Sequence, residues 1–428
     1  MAIDPLHEGP EPPGFWRRMR VDTRPLRHRD FRNLWIGQMI STLGGAIGTV
    51  AVPYQVYNLT GSTALVGALG LASLVPLLVV PLVGGAIADA WDRRTVLLRT
   101  ETGMALITGL FLLNALLPHP QVWALFVLQA LAVAVFSLGR PAMSSLAPRL
   151  VPDEEIAAAN ALDSVYNSLG AVAGPAVGGL IISFAGVPWT YGIDCATYVA
   201  SLVALAALPR LPPLVEVDRP SVRSILDGFR FLKGRQALLG IFLVDSSAMV
   251  FGMPSALFPA FALHQLGGDA STVGYLYAAP YAGALVGSLV SGWTSHVRRQ
   301  GLAVTFWACI WGAAIAGFGF TTSLWPALVL LAVAGGADFY SAVLRSVILL
   351  RSTPDHLRGR LKGIEFMQVA SAPSLGDLEA GVLASLTSLR FSIVSGGLFC
   401  IVGCVVAAIA LPGFLRYDAT RDAVEPAT

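Results

Sequence analysis

The sequence predicts an all-α membrane protein: twelve transmembrane helices arranged as two pseudo-symmetric six-helix bundles. Three observations carry this. Charged residues make up 13% of the chain and hydrophobic residues 55%, whereas a soluble fold carries roughly 25% charge to cover its surface. Twelve stretches are long and apolar enough to cross a bilayer, which takes about 20 residues of helix. Glycine and acidic positions of the first half return in the second at a near-constant offset. The 44 Gly and 27 Pro lie inside the apolar runs, where neighbouring helices satisfy freed carbonyls and small residues let backbones approach.

Along the chain, residues 1–30 form a polar tail rich in Pro and Arg, without the apolar core of a cleaved signal. A first bundle occupies 31–208, with spans at Phe31–Tyr57, Thr63–Ala88, Thr95–Leu117, Val122–Ala147, Ile156–Phe184 and Trp189–Leu208. A polar linker follows over 209–235. Its Ser221–Lys233 part sets Val222, Ile225, Leu226, Phe229 and Leu232 opposite Arg223, Asp227, Arg230 and Lys233, the pattern of a helix lying in the membrane interface. The second bundle, 236–411, has spans at Ala237–His264, Thr272–Thr294, Leu302–Phe320, Trp325–Leu350, Leu357–Leu386 and Phe391–Leu411, and 412–428 form a second tail. Of the 28 Lys and Arg, only Arg390 falls in a connection on the side away from the termini. The positive-inside rule therefore puts both termini in the cytoplasm. Cys195, Cys309, Cys400 and Cys404 all sit in apolar runs and read as buried thiols.

The two halves can be laid over each other. Leu59, Gly61, Val66 and Gly67 recur as Leu266, Gly268, Val273 and Gly274 at an offset of 207, with Gly85 on Gly292 and Pro53 near Pro259. After a five-residue deletion the offset is 202: Arg149, Pro152 and Asp153 return as Arg351, Pro354 and Asp355. Gly174 and Gly179 then meet Gly376 and Gly381, and Asp163 meets Glu365. Repeated bundles joined by a linker imply an axis along the membrane normal and a substrate site between the halves.

The loop after the second span reads Gly84-Gly85-Ala-Ile-Ala-Asp89-Ala-Trp-Asp92-Arg93-Arg94. It resembles the loop signature of the major facilitator superfamily, Gly-x-x-x-Asp-(Arg/Lys)-x-Gly-(Arg/Lys)-(Arg/Lys). Gly85, Asp89, Arg93 and Arg94 match, and Ala90 and Asp92 depart from it. Gly85 permits close helix contact, and Asp89 can hold a helix end or an arginine of the other half, a lock that breaks when the conformation changes. The fifth span carries Gly170-x-x-x-Gly174-Pro175-x-x-Gly178-Gly179, which resembles the antiporter motif of superfamily exporters, with Ala161 in place of an upstream glycine. By itself such a stripe is a packing face that Pro175 bends; the resemblance implies export by proton exchange. Resemblance to the enterobactin exporter subfamily extends over most of the chain. It includes Ala51-Val52-Pro53-x-Gln55, Leu113-Asn114-Ala115-Leu116-Leu117-Pro118, Tyr277-Ala278-Ala279 with Gly283, and Thr353-Pro354-Asp355 with Gly359-Arg360 and Gly363-Ile364. Relatives in that branch also export macrolides and other drugs, so the resemblance does not name the substrate.

Acids inside a membrane cost roughly 2.5–3.5 kcal/mol each on insertion scales and are functional candidates by default. Glu101 lies on the third span, Asp163 on the fifth, Asp194 near the outer end of the sixth and Asp245 on the seventh. Asp338 is mid-way along the tenth, and Glu365, Asp377 and Glu379 are on the eleventh. In the superfamily the first, fourth, seventh and tenth helices line the cavity. That resemblance implies cavity positions for Gln38, Arg140, Asp245, Asp338 and Arg345. Asp245, Asp338, Glu365, Asp163 and Glu101 are the proton-coupling candidates, Asp163 and Glu365 reading more as gating residues. Gln38, Arg140 and Arg345 are the substrate candidates, the arginines suited to an anion such as a catecholate. Asp338 and Arg345 are expected to be about 10 Å apart along one helix face, too far for a direct pair. A static ion pair fixing helix packing would use the same residues.

No phosphate loop occurs and only two lysines are present, which argues against ATP-driven transport by this chain. No nucleophile–His–acid set and no metal-ligand grouping can be assembled, so neither an enzyme nor a cofactor is expected. The expected partners are a small-molecule substrate, protons and the lipid bilayer, with no nucleic acid and a monomeric state. The reading is a secondary active exporter of a siderophore-like amphipathic molecule, working by alternating access with proton antiport. Drug or macrolide efflux, uptake, and a non-transporting sensor are the alternatives. Arg in place of Lys with abundant Ala and Gly points to a GC-rich bacterium, hence to the plasma membrane.

Overall fold

The computed structural model describes residues 22–90, 92–208 and 230–418, excepting the side chains at 81–90, 141, 144, 145, 147 and 356. Most of the interfacial helix expected at Ser221–Lys233, the bulk of both tails, and the side chain of Asp89 lie outside the described residues; the backbone at Gly85 and Asp89, expected in a loop, is helical.

Each predicted span is a helix. α1 runs Arg29–Gly48 and resumes as Ala51–Thr60; α2 is Thr63–Ala90, α3 Arg93–Leu116, α4 Val122–Leu146, α5 Ile156–Ala185 and α6 Val187–Ala206. α7 starts as Gln236–Phe251 and continues, after a break, from Ser255 to Gln265; α8 is Ala270–Leu289, α9 Gln300–Phe318, α10 Leu324–Arg351, α11 Asp355–Leu386 and α12 Leu389–Ala410. Among the described residues nine of these helices are apolar enough to cross a membrane on their own composition, and α6, α8 and α11 are not. α11 opens with Arg358, Arg360, Lys362 and Glu365, and α6 and α8 are diluted by Gly, Ser, Thr and Tyr. Such helices rely on neighbours rather than lipid for their partners.

The packing repeats with the sequence. α1 lies against α5 and α6, α3 against α4 and α6, and α2 against α4; correspondingly α7 lies against α11 and α12, α9 against α10 and α12, and α8 against α10. The two sets meet along α2 with α11 and along α5 with α8. At these seams the glycines of the repeat face one another. A Cβ on Gly179 would stand 2.5 Å from the Ala270 carbonyl oxygen and 2.8 Å from Gly274 Cα; one on Gly381 would stand 2.5 Å from the Thr63 oxygen and 3.1 Å from Gly67 Cα. The Thr63 hydroxyl donates to the Gly381 carbonyl at 3.0 Å. Both seams close the end of the bundle opposite the termini.

α7 breaks at 252–254, where Pro254 removes a donor and Pro259 follows. Trp311 Nε1 donates to the Gly252 carbonyl at 2.8 Å. The Asp377 carboxylate, from α11, accepts the Ala256 N–H at 2.8 Å and the Ser255 hydroxyl at 2.5 Å. The Gly252 carbonyl and the Ala256 N–H, both freed by the break, are thus satisfied inside the protein, as a lipid-embedded helix requires. All four cysteines are free thiols; Cys400 and Cys404 are buried as expected, whereas Cys195 and Cys309 are only half-buried.

Candidate functional site

Two polar clusters and a cavity lie inside the bundle among the described residues. In the second half, Arg345 of α10 reaches Asp245 of α7, with Nη2 2.7 Å from Oδ1, and stands 3.6 Å from Asp338 Oδ1 on its own helix. Its Nη1 donates to Ser341 Oγ at 2.9 Å. Gln368 of α11 donates to Asp245 Oδ2 at 3.2 Å and to the Phe242 carbonyl at 2.9 Å. Arg345 and Asp245 are buried, their side chains 8% and 6% exposed, while Asp338 is 36% exposed. The expected separation of Asp338 from Arg345 is therefore corrected. Helical side chains lean toward the N-terminus, so the long arginine bridges the two turns back to Asp338. With both acids ionised the cluster holds one negative charge in excess.

In the first half, Glu101 of α3 is buried without a basic partner among the contacts the structure gives it. It accepts from Gln38 Nε2 and Ser41 Oγ of α1, both at 3.2 Å. Gln38 and Glu101, expected in separate roles, thus form one site.

A cavity of about 370 Å³ lies nearer the closed end. Its walls include Asp194 of α6, Asp377 of α11, Phe111, Tyr191, Tyr198 and Tyr277. None of Gln38, Arg140, Asp245, Asp338 and Arg345 lines it, so the expectation that they face a shared cavity is not met by this one. α1, α4 and α7 do contribute to its walls, but through residues nearer the closed end, such as Pro53, Gln129 and Ser255. Asp194 and Asp377 were visible in the sequence as acids within spans, and nothing there tied them to a cavity.

The remaining candidates are placed as follows. The Arg140 guanidinium lies 5.6 Å from the ring centres of both Phe136, on α4, and Phe366, on α11, a cation–π contact across the halves. Lys362 Nζ donates to Glu365 Oε2 at 2.6 Å, one turn away on α11. Asp163 is half-buried on α5, and the Asn167 amide donates to its backbone carbonyl at 2.8 Å. Arg94 donates to the Leu205 and Ala206 carbonyls at 3.2 and 2.7 Å, capping the end of α6, and Arg93 is buried. Gly174 and Gly178 face α1, where added Cβ atoms would stand 2.3 Å from Ala46 Cβ and from the Ile47 oxygen. Gly170 lies more loosely on the same face, against Thr42, and Pro175 presents its carbonyl to Gly274 of α8. The motif thus wedges α5 between α1 and α8.

At the closed end, Asp269 caps α8 by accepting the N–H groups of Ser271 and Thr272 at 3.0 and 3.3 Å, and it accepts the Ser183 hydroxyl of α5. The bond from Ser183, followed by that from Ser271, holds its carboxyl below the ordinary aspartate value.

A family model described as transmembrane secretion effector matches residues 22–425. The chain is 33% identical over 386 residues to the enterobactin exporter EntS of Shigella boydii serotype 4 (strain Sb227), covering 89% of this chain and 92% of that protein. It is 32% identical, with the same coverage, to EntS of Escherichia coli (strain SE11). Among solved structures, it resembles a bacterial homolog of the human lysosomal transporter Spinster (TM-score 0.74, 14% identity, 95% of this chain and 100% of that one). It also resembles the nucleoside transporter NupG (TM-score 0.69, 14% identity, 91% and 99%).

Proposed function

Because the chain belongs to the transmembrane secretion effector family of the major facilitator superfamily, a multi-pass bacterial inner-membrane transporter and not an enzyme, we propose that it exports a siderophore-like amphipathic molecule by alternating access in exchange for protons. Similarity over nearly the whole chain to exporters of enterobactin carries this reading. The packing supports the mechanism. Two symmetric seams, Gly179 with Gly274 and Gly381 with Gly67, close one end of a bundle whose interior holds a cavity and two polar clusters. With both termini cytoplasmic, the closed end faces outward and this conformation receives substrate from the cell. The Gly85–Asp89 segment at the end of α2, with Arg93 and Arg94 at the start of α3, would lock the opposite end when the halves rock.

Arg345 is the coupling element of this proposal. It holds Asp245 at 2.7 Å and Asp338 at 3.6 Å, so a small swing transfers it from α7 to its own helix. One proton neutralises the excess charge of the trio, and entry of water from either side switches that proton's site. Arg345 is then engaged with the two acids and does not serve as the anion receptor. Glu101, tied to Gln38 and Ser41, is a second proton acceptor in the first half, and Asp163 and Glu365 act in gating. The protein works as a monomer. Efflux of amphipathic drugs is the second reading, favoured by the acid- and ring-lined cavity.

Proteoliposomes with an imposed pH gradient test the coupling. Asp245→Asn and Asp338→Asn, made singly, should abolish gradient-driven transport in at least one case while substrate exchange persists. Wild-type gradient-driven rates in both would overturn the coupling scheme. Mass spectrometry of compounds retained by a deletion strain tests the substrate, and a strain that retains no siderophore would overturn that half.

A further inference from the structure

The cavity near the closed end has a chemistry of its own. Two carboxylates, Asp194 and Asp377, line it, and among the described residues no Lys or Arg does. Asp194 is only 7% exposed. Among the described residues its Oδ1 has no hydrogen-bond partner, and its Oδ2 has only the Thr108 hydroxyl, at 3.5 Å. A buried polar atom without a partner is costly, more so when charged. Asp245 meets that requirement with Arg345; Asp194 has nothing comparable. Asp377 is partly used, its Oδ1 accepting from Ser255 and Ala256 at the α7 break.

The rest of the wall is aromatic. Phe111 and Tyr191 stack with centroids 5.2 Å apart at 17°. The Tyr191 hydroxyl donates to Gln55 and the Tyr277 hydroxyl to the Ser255 carbonyl, each at 2.9 Å. These rings are held in place before any ligand arrives. Fixed aromatic faces beside an unpaired carboxylate are the usual receptor for a quaternary or protonated amine. An anionic group entering the same space would meet two acids and no base.

We propose that this cavity binds an organic cation, an apolar or aromatic molecule bearing a positive centre, with Asp194 as the main counter-ion, Asp377 as the second and the rings as its walls. The proposal rests on the transport reading only in taking the cavity as part of the substrate's path. A volume near 370 Å³ falls within the range of small-molecule sites, roughly 300–1,000 Å³.

Tetraphenylphosphonium and tetraphenylborate share a shape and differ in the sign of their charge. Binding of each to the full chain in lipid nanodiscs, with empty nanodiscs subtracted, reads the charge preference directly. Saturable binding of the phosphonium alone is expected, weakened at least tenfold by Asp194→Asn, weakened less by Asp377→Asn, and largely retained by Asp194→Glu. Equal binding of the two ions, no binding of the phosphonium, or wild-type affinity in a folded Asp194→Asn protein would overturn the proposal. The comparison of ions on the wild-type chain decides the matter even where a variant fails to fold. Because binding is read without transport, a failed siderophore assay leaves this result standing, and failed phosphonium binding leaves the export reading standing.

Discussion

Gly179→Ala adds a single methyl where α5 meets α8. The new Cβ would stand 2.5 Å from the Ala270 carbonyl oxygen, 2.8 Å from Gly274 Cα and 2.9 Å from its nitrogen. All three are backbone atoms, so no flexible side chain can move aside. To reach the 3.4 Å of ordinary contact, the helices must part by about 0.9 Å. Overpacking of this kind costs about 1–3 kcal/mol. The penalty applies only while the seam is closed, so the balance between closed and open forms should shift about 5- to 150-fold toward opening. Gly381→Ala, its counterpart by the repeat, should act in the same direction through Thr63, and the two effects should add because the seams share no residues. Gly363→Ala is the control, since nothing lies within 4 Å of its Cβ position. Spin labels on the α5–α6 and α7–α8 connections, with native cysteines replaced, report the distance across the seam. Unchanged distances in both seam variants, or an equal change in the control, would refute the argument.

Other outcomes follow from the same contacts. Arg345→Met leaves Asp245 and Asp338 without a guanidinium and should destabilise the protein by about 3–5 kcal/mol. Adding Asp245→Asn and Asp338→Asn should recover most of the lost melting temperature, and a wild-type melt of the single variant would count against the charge argument. Asp269 is held below its ordinary value of 3.8 by hydrogen bonds. Its contribution is therefore present above that pH and lost as the pH falls through the lower, folded-state value. Asp269→Ala should cost about 1 kcal/mol at neutral pH through the lost cap. Its melting curve should converge with that of the wild type only below pH 3.8.

The glycines show how far a linear reading can reach. Gly67 was matched to Gly274 and Gly179 to Gly381 by offset alone, and in the fold Gly179 touches Gly274 while Gly381 touches Gly67. Close backbone contact admits no side chain, so such positions mark themselves in both repeats. The Gly170–Gly179 stripe was legible as a packing face for the same reason, although its division between α1 and α8 was not.

Partnerships among polar side chains were far less legible. Arg345 could be placed on the tenth helix from its position, yet that Asp245 lies 2.7 Å away depends on how α7 and α10 are rotated against each other. Gln38 and Glu101 stand 63 positions apart and meet only because α1 and α3 cross there. Asp377 looked like any costly acid until the break in α7 brought the Ala256 N–H to it.

Hydropathy, charge placement and the internal repeat are sums over neighbouring residues, and together they were enough to place twelve helices in two matched halves, although α6, α8 and α11 are not apolar enough to cross a membrane on their own composition. Which acid acquires a guanidinium, which caps a broken helix and which is left beside aromatic rings was decided by helix rotation and tilt. Each residue turns the helix face by about 100°, so a slight rotation exchanges one set of neighbours for another while leaving every span intact.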